Sequence, residues 1–202
     1  MSKRKNDDST QKTAPSKKIN SGHWALGLLK TMEDPKYIIQ SDELITIIKD
    51  VYPKAEFHYL ILPKANISNL KALNKDHIDL LKHMEIKAKE LLNSEAHKHK
   101  HFKLGYHAEA SMFRLHMHVI SDDMNSPCLK TKKHWNSFNT DFFLNSNEVL
   151  SSLQKYGKVT IPSKETCKSY MDSPLKCHKC SYEPKNLPDL KKHIVAHLEK
   201  KN

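Results

Sequence analysis

The chain has 202 residues, enough for one core of about 100 to 150 residues plus a small module. Its net charge of +11 sits at the ends: residues 1 to 20 carry six Lys/Arg against two acids and residues 151 to 202 carry eleven against five, which suits a polyanion partner such as nucleic acid. Four cysteines, two of them isolated at Cys128 and Cys167, argue against the disulfide framework of a secreted domain, and with no apolar run of about 18 residues and no apolar N-terminal signal a soluble intracellular protein is expected.

Residues 1–20 are polar and too poor in large apolar groups to offset the entropy of ordering, so they read as a disordered basic arm. Its Lys3-Arg4-Lys5 cluster is of a common kind that serves as a nuclear address or a phosphate contact. Trp24, Ala25, Leu26, Leu28, Leu29 and Met32 predict a short helix that stops before Asp34-Pro35, because proline disfavours helical geometry in the residue before it. Two β-rich runs, Leu44 to Lys49 and Phe57 to Leu62, read as neighbouring strands separated by a turn around Tyr52-Pro53.

Leu70, Leu73, Leu80, Leu81, Met84, Ala88 and Leu91 recur at helical spacing behind Ser68, a candidate N-cap, and predict a long helix packed on the sheet. The HKHKHF segment, with His97, His99 and His101, reads as a solvated loop or strand edge with no assigned role. FRLHMHVI, Phe113 to Ile120, alternates with period two. It sends Phe113, Leu115, Met117 and Val119 to a core face and Arg114, His116 and His118 to the other. Asp122 to His134 reads as a loop with a basic Lys130, Lys132, Lys133 cluster, followed by a mixed segment through about Pro162.

Near the end, Cys177, Cys180, His193 and His197 give C-x2-C-x12-H-x3-H. Two thiolates and two imidazoles complete a tetrahedral Zn²⁺ shell, and the H-x3-H spacing places both histidines on one face of the predicted helix PDLKKHIVAHLEKK. Leu190 fits the core of a small finger, and Lys191, Lys192, Lys200 and Lys201 make its helix basic. A single finger reads little sequence, so backbone or end recognition of DNA is expected, with protein binding as the alternative.

Two histidines on one strand face also arise as satisfied, partly buried side chains. Here Ser111 lies just upstream, His107 four residues before it, and His58 on another predicted strand. An imidazole can attack phosphorus and carry a nucleotidyl group while a second imidazolium and a hydroxyl stabilise the oxygens. That chemistry needs no redox cofactor and no catalytic metal.

The HMHVI stretch, with Ser111 and the upstream FHYLILP around His58, resembles the histidine-triad family of nucleotide hydrolases and transferases. The resemblance runs from Gly22 to the C-terminus, and a triad domain followed by a Cys2His2 finger is more specific than either motif alone. It implies an α+β fold, an antiparallel sheet packed by helices, followed by a small ββα-like zinc finger. The expected division is arm 1–20, catalytic domain 21–162 and DNA-binding finger 163–202.

Carried over by position, the resemblance makes His116 the nucleophile, His118 and Ser111 phosphate ligands, His58 the supporting histidine, and His107 the group beside the leaving phosphate. Asp50 falls where ribose hydroxyls are held, Lys54 near the nucleotide, and Ile48, Val51, Leu28 and Met32 would line the adenine pocket. Trp24 falls at an aromatic wedge on the terminal base pair. Further DNA contacts are assigned to Arg114, Lys132, Lys133, His134, Lys191 and Lys192.

Arg114 departs from the family, which has a histidine at that first triad position. A guanidinium on that face would contact phosphate. The implied activity is removal of AMP from 5'-adenylated DNA or RNA-DNA ends through an adenylyl-histidine, in the nucleus and by a monomer, with structural zinc only. The alternatives are a general hydrolase of dinucleoside polyphosphates or adenylyl-amines, and a non-catalytic nucleic-acid-binding scaffold.

Overall fold

The computed structural model describes residues 27–199, so the arm 1–20, Trp24, Lys200 and Lys201 lie outside the described residues. In chain order the elements are α1 (Gly27–Glu33), β1 (Ile38–Ser41), β2 (Ile45–Lys49), β3 (His58–Pro63), two 3-10 turns (Leu70–Ala72 and Lys75–His77), α2 (Ile78–Leu92), β4 (Phe102–His107) and β5 (Met117–Ser121). Then come α3 (Lys132–Asn139), β6 (Phe143–Asn145), α4 (Ser146–Tyr156), α5 (Lys164–Asp172) and α6 (Leu187–Glu199). The strands form one antiparallel sheet in the order β1-β2-β3-β5-β4-β6.

β3 is buried along its whole length because both faces of the sheet are covered. On one face Ile45, Ile47, Tyr59, Ile61, Met117 and Val119 pack against α2, through Leu81, Met84 and Ala88, and against α4, through Val149 and Leu153. On the other face Ile48, Leu60 and Leu62 pack under Leu28 of α1. His58, His118 and Ile120 share that second face, since residues two apart on a strand point the same way. β4 reaches this site only because position 105 is glycine: a Cβ there would overlap the Leu144 carbonyl and the Phe143 ring of β6.

Several expectations need correction. The helix expected behind Ser68 starts at Ile78, because Asn69 and Asn74 accept the backbone N–H groups of Lys71 and Asp76 and close two separate turns first. β1 was not expected from the sequence. His97 is buried rather than solvated: its Nδ1 donates to the Leu91 carbonyl at 3.0 Å, its Nε2 accepts from the Tyr59 hydroxyl at 3.0 Å, and Phe57 and Phe102 meet its ring edge-on. Phe113 is 70% exposed, because the strand begins only at Met117; the expected alternation holds from Leu115 onward. Asp122 to His134 is a loop except at its end, where Thr131 caps α3 by accepting from His134 N–H.

Among the described residues the zinc module has no core separate from that of the preceding domain. Cys177, Leu190 and Ile194 are buried in one cluster with Ile120, Met124, Leu129, Trp135, Phe138 and Phe143 of the preceding domain. Trp135 Nε1 donates to the Lys176 carbonyl at 3.0 Å and His178 Nε2 to the Asp122 carbonyl at 2.8 Å. Between α5 and α6 there is no strand; the expected hairpin is reduced to a turn in which Cys177 N–H donates to the Tyr182 carbonyl at 3.0 Å.

Candidate active site

Antiparallel register sets His58 opposite Ile120 and His118 opposite Leu60, so the two imidazoles meet across adjacent strands. His58 Nε2 and His118 Nδ1 are 2.9 Å apart. The ring of His107, at the end of β4, lies 4.4 Å from that of His118, and the His116 ring lies 4.9 Å from it. His58, His116 and His118 are each 5% exposed or less.

The hydrogen bonds fix the tautomers. His116 Nδ1 lies 2.7 Å from the Arg114 carbonyl, which can only accept, so Nδ1 carries the proton and Nε2 the lone pair. Lys54 N–H donates to His58 Nδ1 at 3.2 Å, so neutral His58 is protonated at Nε2 and donates to His118 Nδ1. Neutral His118 is then protonated at Nε2, a buried atom without a partner. His107 Nε2 is likewise buried and unpaired.

Desolvation keeps the cluster neutral: it lowers His116, lowers His118 well below the usual imidazole range, and takes His58 to about 4 and His107 to about 3. The neighbouring imidazoles add to the depression of His118 and His107. A neutral cluster with one lone pair and two unpaired ring nitrogens is suited to receive an anion.

These histidines line a cleft of about 660 Å³, together with Asp50, Lys54 and Ser111. Leu28, Ile48 and Val51 line it as expected; Met32 does not, and instead packs behind Leu28 and Ile48. Asp50 is held by Tyr52 N–H at 2.7 Å and lies 3.5 Å from His58 Nδ1. Burial pushes the Lys54 ammonium down, with Asp50 opposing.

Arg114 is not on the cleft wall. Its guanidinium donates to the Pro63 carbonyl at 2.9 Å, the Lys64 carbonyl at 2.8 Å and Asn66 Oδ1 at 3.1 Å, so it braces the loop after β3 and is not offered to phosphate. The alternation that brings His116 and His118 to the cleft does not extend back to residue 114. Lys133 and His134 line the cleft, whereas Lys132 donates to the Asp172 carbonyl and Lys191 to the Ser126 carbonyl. Lys192 is exposed on α6.

Sequence reasoning missed Phe138, which meets His118 and His58 edge-on at 5.2 and 5.4 Å, and Met171 of α5, which also lines the cleft. Phe138 was legible as one face of a helix: Lys133, His134, Ser137 and Phe138 all line the cleft at helical spacing. Met171 carried no such signal.

Cys177, Cys180, His193 and His197 bring four donor atoms within 4.8 Å of one another. Cys180 Sγ is 3.2 Å from His193 Nε2, Cys177 Sγ is 3.5 Å from His197 Nε2, and the two imidazole Nε2 atoms are 3.1 Å apart. Tetrahedral zinc bonds of about 2.3 Å to sulfur and 2.0–2.1 Å to nitrogen require edges of about 3.5 and 3.3 Å, so the donors fit. When bound, zinc would close the turn onto α6 as a four-coordinate structural site. Tyr182 supports it by stacking on His193 at 4.0 Å while its hydroxyl donates to Asp189.

The six-stranded sheet, the histidine cluster on one face and the docked Cys2His2 turn define a histidine-triad domain joined to a zinc finger. Residues 23–134 match the family model described as scavenger mRNA decapping enzyme C-term binding, and residues 139–200 match that of the C2HE / C2H2 / C2HC zinc-binding finger. Aprataxin of Danio rerio is 47% identical over 92% of this chain and 57% of its own length, and an aprataxin-like protein of Saccharomyces cerevisiae is 32% identical over 78% of this chain and 84% of its own. The chain belongs to the aprataxin family. It spans about half the length of the aprataxins of Danio rerio, Gallus gallus and Ciona intestinalis. Its fold matches the crystal structure of the aprataxin ortholog Hnt3 in complex with DNA, with a TM-score of 0.69 and 22% identity over 85% of this chain and 92% of that one.

Proposed function

We propose that this protein is a nucleotide hydrolase that removes AMP from 5'-adenylated DNA or RNA-DNA ends. The observation that carries the reading is the tautomer of His116: its Nδ1 proton is held by the Arg114 carbonyl, so its Nε2 lone pair is available in a cleft that also holds the unpaired Nε2 of His118.

In the first step His116 Nε2 attacks the adenylate phosphorus. An N–P bond forms and the P–O bond to the 5'-phosphate of the end breaks. His118 Nε2–H donates to a non-bridging oxygen, Ser111 adds its hydroxyl, and His107 stands beside the departing phosphate. In the second step water attacks the same phosphorus, the N–P bond breaks, and AMP leaves with His116 restored. Leu28, Ile48 and Val51 would hold the adenine and Asp50 the ribose hydroxyls.

The substrate rests on the aprataxin relationship, on Lys133 and His134 in the cleft, and on the DNA complex of the Hnt3 ortholog. Trp24 would serve as the wedge on the terminal base pair. On this reading the protein acts in the nucleus, as a monomer and with zinc in a structural role only. The test is release of AMP from a nicked duplex carrying a 5'-adenylate, beside hydrolysis of diadenosine polyphosphate. Faster turnover of the duplex supports the reading; turnover of the dinucleotide alone makes the chain a general hydrolase.

A further inference from the structure

We propose that Ser137, Phe142 and Met171 form a subsite for the leaving group, and that its occupant is the terminal nucleotide of the departing polynucleotide. The proposal rests on the adenylyl-transfer reading above and adds how that site discriminates among leaving groups.

Two separate apolar patches reach the cleft. The first comes from α1, β2 and β3, as Leu28, Ile48 and Leu60, and lies on the same cleft as Asp50. The second comes from the segment before β6 and from α5, as Phe142 and Met171, which pack with Ala108 and Cys167. One adenine needs one such patch. The second lies against His107, whose ring is 5.4 Å from Phe142 and 4.7 Å from Phe138. His107 stands beside the departing phosphate in the proposed chemistry, so the group that leaves extends over this patch.

α3 supplies the polar side. Phe138 packs on the histidines, Ser137 lines the cleft next to it, and Lys133 and His134 line it one turn earlier. At 1.5 Å per residue, Lys133 lies roughly 7 Å along the helix from Phe138, placed for a backbone phosphate beyond the first nucleotide. A methionine thioether is flexible and polarisable, so it contacts a sugar or base without reading its identity. That suits an enzyme acting on ends of any sequence.

Met171 is held through its backbone. Asn136 Nδ2 donates to the Met171 carbonyl at 3.1 Å and to that of Ser173 at 2.9 Å, so the side chain can be exchanged without breaking either bond. α5 lies between the catalytic sheet and the zinc ligands in sequence, so the C-terminal module contributes a wall of the cleft.

The experiment compares kcat/KM for a 5'-adenylated oligonucleotide duplex with that for adenosine 5'-phosphoramidate, whose leaving group is a single nitrogen. The expected result is a fall of about tenfold in the ratio of the two for Met171→Ala, a larger fall for Met171→Glu, and a ratio near that of the unmodified protein for Met171→Leu. An unchanged ratio, or an equal fall on both substrates, overturns the subsite. If the unmodified protein cleaves the phosphoramidate but not the duplex, the DNA reading fails by itself. The same ratio taken with diadenosine polyphosphate then decides the subsite: a fall in Met171→Ala supports a nucleotide-sized leaving group, and no change overturns it.

Discussion

His116 Nδ1 and the main-chain carbonyl of Arg114 are joined by a 2.7 Å hydrogen bond, and through this bond position 114 serves the site. The backbone sets the tautomer of His116, the proposed nucleophile, while the side chain of Arg114 fastens the loop after β3. A histidine in the first triad position is therefore not required for the lone pair on His116 Nε2.

Replacing Arg114 by alanine leaves the carbonyls of Pro63 and Lys64 without this donor in a buried setting. A loss of about 2–4 kcal/mol is expected, since bonds from a charged donor contribute about 1.5–3 kcal/mol each. Urea unfolding measures it. A midpoint unchanged by Arg114→Ala would contradict the bracing role.

Acid should destabilise the fold before it protonates the site. His58 and His107 are lowered to about 4 and about 3, so between pH 6.5 and those values the unfolded chain binds protons that the folded chain refuses. Their contribution to stability is complete above about pH 6.5 and is lost as pH falls toward 4. The thermal midpoint should drop over that window, and His107→Phe should flatten the drop. A midpoint that rises from pH 7 to pH 5 would contradict a neutral buried cluster.

Zinc removal should unfold more than the finger. Cys177, Leu190 and Ile194 share a core with Trp135 and Phe138, and Phe138 packs on His58 and His118. Chelation, or Cys180→Ser, is expected to lower one cooperative melting transition rather than create a second. Two independent transitions, with that of the six-stranded domain unmoved, would show that the shared core does not couple them.

Gly105→Ala is expected to cost about 1–3 kcal/mol by overpacking against Leu144 and Phe143, and to disturb the site by moving β4 relative to His118. Calorimetry and AMP release together would read it.

What was legible in the sequence and what was not follows from the range of each interaction. β2, β3 and the Leu115-Met117-Val119 alternation are local patterns, and so is the zinc spacing, so each appears in the chain as written. The break before α2 depends on which backbone groups Asn69 and Asn74 capture, a competition that periodicity does not record. Arg114 was read as a phosphate contact because the strand alternation, which holds from Leu115 onward, was extended back over Phe113 and Arg114. Docking of the finger depends on contacts such as that of Trp135 with Lys176, 41 residues apart, and no local pattern marks that distance.

The central claim is that His116 becomes covalently adenylylated. The direct measurement is mass spectrometry of the protein quenched during turnover of a 5'-adenylated nicked duplex, with peptide mapping. The account predicts an AMP adduct on His116, absent in His116→Ala, which should still bind the duplex. Undiminished AMP release by His116→Ala, or an adduct on another residue, would contradict it.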